Sequence, residues 1–149
     1  MRTVFELSKQ LEGDPEQVAL AQALTRNSSK PQMGLAGTLG LFGSEQWWRS
    51  INDGRMPLEF VSGVIIHAYR AGQDDAGPTN TVEIRADDDS VRSLGIYVNN
   101  PKDRRLFRPG FATSIVYALD ELKPEAARNS RCRYSRVALE MSVSLAAVD

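Results

Sequence analysis

From Leu58 onward, apolar side chains recur at every second position, and this period constrains the fold more than any other feature of the chain. A period of two places alternate side chains on opposite faces of a strand. Five stretches carry it. "LEFVSGVIIHAYRA" (58–71) reads as a long strand in which Gly63 marks a bend or bulge. "TNTVEIRA" sets Val82, Ile84 and Ala86 on one face, and "VRSLGIYVN" sets Leu94, Ile96 and Val98 on one face with Gly95 at a second bend. "FATSIVYALDEL" alternates Phe111, Thr113, Ile115, Tyr117 and Leu119. The last stretch, "CRYSRVALEMSVSL", puts Val137, Leu139, Met141, Val143 and Leu145 inward and Arg136, Glu140, Ser142 and Ser144 outward. "NNPKDRRLFRPG" and "KPEAARNS" read as loops. Five strands with internal glycines predict a strongly bent antiparallel sheet that closes into a small barrel, because closure removes exposed edges. The expected fold is therefore mainly β with N-terminal helices, an OB-like barrel first and an SH3-like barrel second.

Ahead of the strands the period is helical. Val4, Leu7 and Leu11 recur at helical spacing up to Gly13. "DPEQ" then starts a second helix, with Asp14 as cap, Pro15 in the first turn and Gln17 at the capping-box position. Residues 3–26 thus predict a short helical hairpin, followed by the linker "NSSKPQMG". Gly34, Gly37, Gly40 and Gly43 lie three apart, which is not a phosphate-loop spacing, and no Lys-Ser/Thr follows. A connection with close backbone packing is the better reading. Residues 1–40 are expected as a helical segment with a Gly-rich linker, and 41–149 as a helix-capped barrel.

"GSEQWW" holds the only two tryptophans. Ser44 caps a helix that should run to about Asp53 and end at Gly54. Neighbours on a helix point about 100° apart, so Trp47 and Trp48 cannot form one flat stacking platform. With Ile51 they make an apolar stripe that bolts the helix onto the sheet, or seats part of it in an interface.

Composition narrows the function. The 149 residues are 42% hydrophobic and 25% charged, which is a globular balance able to bury a core. The net charge of −1 argues weakly against a dedicated nucleic-acid binder. One cysteine, Cys132, excludes an intrachain disulfide and fits a reducing cytoplasm. The N-terminus reads as no signal peptide, and no apolar run is long enough to span a bilayer. One His and one Cys leave no zinc spacing, and the triple acid Asp87–Asp88–Asp89 reads as a hairpin turn rather than a calcium loop. No metal or other cofactor is expected.

Three functional readings stay open. The first is a non-enzymatic interaction module, self-associating or binding a protein partner, since Val4, Leu7 and Leu11 on a short helical pair need burial somewhere. The second is an OB-type single-strand binder that uses Lys102, Arg104, Arg105, Phe107 and Arg108 with Arg133, Tyr134 and Arg136, where aromatics sit among cations. The third is a small-molecule binder or enzyme with His67 and Tyr69 in a barrel-mouth pocket, although a lone strand histidine is more often simply packed.

The runs "GLFGSEQWWRSINDGRMP", "SGVI", "RPGFATSIVYALDELK" and "YSRVALE" resemble small bacterial proteins carried on integron gene cassettes. That resemblance, over roughly residues 39–141, implies a bacterial cytoplasmic protein and carries no site residue with it.

Overall fold

The structure is a computed structural model that describes residues 1–71 and 78–148. In chain order it runs β1 (Arg2–Glu6), α1 (Leu7–Gly13), α2 (Pro15–Arg26), α3 (Glu45–Asn52), β2 (Leu58–Tyr69), β3 (Thr81–Arg85) and β4 (Val91–Gly95). A 3-10 turn (Pro101–Leu106), β5 (Phe111–Glu121), α4 (Pro124–Ser130) and β6 (Tyr134–Ala147) complete it. The strands form one antiparallel sheet in the order β1-β6-β5-β2-β3-β4. The sheet does not close: β1 and β4 occupy its two ends. The five-stranded barrel is thus corrected to an open sheet of six strands among the described residues.

The sixth strand is β1, where the helical hairpin was expected to begin. "RTVFE" is β-branched and aromatic, which favours a strand. A bulge between Thr3 and Phe5 lets the adjacent Val4 and Phe5 both sink into the core, which hides the period of two. The helix starts only at Leu7, so Val4 shares the spacing of Leu7 and Leu11 without sharing their element. A second missed element is α4, a helix of seven residues within "KPEAARNS" that opens on Pro124 and ends with Arg131 in the left-handed region.

The chain packs as two compact units, each assembled from separate stretches. The first takes Met1–Leu7, Phe60–Val116 and Ala138–Asp149. Its core holds Ile65, Val82, Ile84, Ile115, Met141 and Val143, all buried. Gly63 marks a close backbone approach here, not a bulge. A Cβ at this position would stand 2.5 Å from the Arg85 carbonyl oxygen. Gly63→Ala is expected to cost about 1–3 kcal/mol, read from the urea midpoint, because a backbone atom cannot swing aside. The bulge lies two residues on, where Ile65 pairs with Ile84 and His67 with Glu83, leaving Ile66 extra and exposed.

The second unit takes Ser8–Glu59 and Tyr117–Val137. Asp14 caps α2 by accepting the Gln17 N–H at 3.2 Å, with Pro15 in the first turn. The Gln17 side chain does not complete the capping box; it accepts from Gln10 Nε2 at 2.9 Å. At the other end of α2, Lys123 Nζ donates to the carbonyls of Leu24 (2.6 Å), Asn27 (3.2 Å) and Lys30 (3.1 Å). An ammonium there satisfies carbonyls that the helix leaves open and complements its dipole.

The long strands change the parity of their buried residues along their length. β5 buries Thr113, Ile115 and Tyr117, then Ala118 and Asp120. β6 buries Ala138, then Met141 and Val143, while Leu145, expected inward, is 65% exposed. A single alternation cannot describe such strands.

Candidate partner-binding surfaces

The second unit is built around one tryptophan. Ser44 Oγ accepts the Trp47 N–H at 3.2 Å, which starts α3 where the sequence places it. Gly40, at φ 116°, lies against the backbone of Gln46 and Trp47, where a Cβ would meet the Trp47 nitrogen at 2.7 Å. Only glycine combines that conformation with that approach. Trp47 is fully buried, with Phe42 edge-on at 5.0 Å. Trp48 stands perpendicular to it, at 4.9 Å and 85°, and is half-buried like Ile51. The two rings form no shared platform.

Trp47 Nε1 donates to Asp120 Oδ2 at 2.8 Å, and Asp120 is itself only 3% exposed. Asp120 was not singled out by the sequence, because it occupies an outward position of the expected alternation. Burial raises its pKa above the ordinary aspartate value, and the bonds from the Trp47 indole and the Glu121 N–H oppose that only in part. A carboxyl whose folded pKa is raised binds its proton more tightly in the folded chain. Stability therefore falls as pH rises from the ordinary aspartate pKa through the raised one. Asp120→Asn should flatten this part of the stability-versus-pH curve while keeping an oxygen for the Trp47 N–H. Chemical denaturation at acid and neutral pH checks it.

Three surface depressions belong to this unit. A cleft of about 170 Å³ includes Asp120, Glu121, Arg55 and Tyr134. One of about 410 Å³ includes Arg26, Arg128 and the stem of Lys123. A third, of about 370 Å³, is floored by Leu11, Val18 and Trp48.

The basic residues proposed for a nucleic-acid site fall into two groups. Lys102, Arg104, Arg105, Phe107 and Arg108 lie on or just after the 3-10 turn, in the first unit. There Arg104 donates to the Thr79 carbonyl at 3.1 Å and Arg108 to the Arg105 carbonyl at 2.9 Å. Phe107 is 4% exposed, so it belongs to the core and presents no face for a base to stack on. Arg133, Tyr134 and Arg136 belong to the second unit, where Arg133 covers the Tyr134 ring at 5.2 Å and Arg136 pairs with Glu59 at 2.8 Å. The pairing raises the Arg136 pKa further.

His67 and Tyr69 stack at 5.1 Å on β2, with His67 exposed, and neither lines any of the three clefts. Val4, Leu7 and Leu11 are all buried within the chain itself. Among the described residues no group of three His, Cys, Asp or Glu could hold a metal ion. No helix among them is long and apolar enough to cross a membrane.

The chain belongs to a family of immunity proteins: the family model described as immunity protein RhsI2 matches residues 1–144. This corrects the resemblance to integron-cassette proteins, since the matched family covers nearly the whole chain and is a different one. A search of curated proteins finds no match.

Proposed function

We propose that the chain neutralises a protein toxin by binding it, without catalysing a reaction of its own. The observation that carries this reading is the immunity-protein match over residues 1–144, which spans both compact units. Its surface supports the reading. Phe60 is 74% exposed and Leu145 65%, and apolar side chains held at that exposure gain burial when a partner covers them. Self-association loses its motive, because Val4, Leu7 and Leu11 already have their burial inside one chain.

Neutralisation by binding is stoichiometric. Cells that express the partner toxin domain should grow when the chain is co-expressed at equal or higher level, and protection should fail when toxin is in excess. Failure to protect at any ratio would sink the reading.

A further inference from the structure

The two ends of the sheet are treated differently. At β1, Asn99 bonds to the backbone of both Val4 and Glu6. Its backbone N–H donates to the Val4 carbonyl at 2.9 Å, its Oδ1 accepts the Glu6 N–H at 2.8 Å, and its Nδ2 donates to the Glu6 carbonyl at 3.2 Å. One asparagine thus stands in for a neighbouring strand.

β4 has no such cover among the described residues. It pairs with β3 in unbroken register from Thr81↔Gly95 to Arg85↔Val91. The Ile96 N–H donates to the Asn80 carbonyl and the Ala86 N–H to the Ser90 carbonyl, each at 2.9 Å. These bonds set the phase of the ladder, so Leu94 and Arg92 exchange their backbone bonds with β3. By alternation the N–H and C=O groups of Val91, Ser93 and Gly95 point away from it. Val91 and Ser93 are also exposed residues. Edge strands are often blunted by a bulge or a proline, and β4 carries neither.

We propose that β4 is the docking edge for the toxin, an inference that rests on the toxin-binding reading above. An extended segment of the partner adds to β4 as a further strand and exchanges backbone hydrogen bonds with Val91, Ser93 and Gly95. Only a strand repeats its free donors and acceptors at the required spacing of about 7 Å, since a helix spends its own internally. Charge adds a second condition. The turn at the Val91 end carries Asp87, Asp88 and Asp89. Asp88 Oδ1 accepts from the Ser90 N–H and hydroxyl and is attracted to Arg92, whereas neither Asp87 nor Asp89 forms an ion pair among the described residues. The docked segment therefore carries Lys or Arg where it passes this turn.

Residue-resolved hydrogen exchange on the protein, free and bound to the purified toxin domain, tests the proposal. The Val91, Ser93 and Gly95 amides should exchange rapidly in the free protein and slow at least ~100-fold in the complex. A complex in which these three amides stay fast overturns the edge and leaves toxin binding intact. Absence of any complex overturns both. Protection that rises with the concentration of the protein alone would assign the edge to a second copy and overturn the assignment to the toxin. Ser93→Pro removes an outward N–H and leaves the bonds to β3, so it should weaken toxin binding ~30-fold or more, whereas Ser93→Thr should stay within ~3-fold. Unchanged affinity in a folded Ser93→Pro protein would contradict the proposal.

Discussion

Trp47→Ala should cost about 3–5 kcal/mol of folding stability, the largest single-residue effect expected in this chain. The indole is fully buried, packs edge-on to Phe42, and is a hydrogen-bond donor to the buried Asp120 carboxylate. Its removal leaves a cavity too large for Phe42 to fill. It also leaves a buried carboxylate without one of its donors, which adds to the penalty and raises the pKa of Asp120 further. Trp48→Ala is the internal comparison. That ring is half-buried and has no comparable polar partner among the described residues, so its loss should cost about 1–2 kcal/mol. Denaturant midpoints of the two variants check the order. Equal costs would mean that the two rings share one role, which their perpendicular setting argues against.

Gly40→Ala should be nearly as damaging, at about 3 kcal/mol, although it adds only one methyl group. Two costs coincide there. The backbone sits at φ 116°, which side chains rarely adopt, and the new Cβ would stand 2.7 Å from the Trp47 nitrogen. Relieving the overlap means moving the start of α3, and with it the Ser44 cap and the Trp47 ring. Gly54 is the control. It too has a positive φ, of 77°, but a Cβ there meets nothing within 4 Å, so Gly54→Ala should show the conformational cost alone, about 1 kcal/mol. Thermal unfolding of the pair separates strain from overlap.

These two sites show what could be read in the sequence. The Ser44 start of α3, the helix from Pro15, and the strands over 58–69, 81–85 and 111–121 follow from caps and periods that local chemistry sets. Gly40 was legible only as one glycine in a run of four, because the contact that requires it comes from the backbone of a later helix. Asp120 was not legible at all: its burial depends on a switch of parity within β5, which a single alternation conceals. β1 failed for a related reason. Its bulge buries two adjacent residues, and the chain then enters α1 in phase with a helical pattern. Closure into a barrel is one remedy for free edges, and this sheet does not use it. Here Asn99 bonds to the backbone of one edge strand, and the other has no such cover among the described residues. The site proposed from clustered cations did not foresee that Phe107 belongs to the core, since a buried aromatic and a stacking one look alike in sequence.

The most direct test of the central claim is a calorimetric titration of the purified protein into the purified toxin domain, followed by assay of the mixture for toxin activity. Binding as an immunity protein predicts a 1:1 complex with Kd of about 10 nM or below, and toxin activity that vanishes at equimolar protein. No heat of binding, or loss of toxin activity at amounts of protein far below the toxin, would contradict it: the first denies the interaction, and the second would mean that the chain acts catalytically.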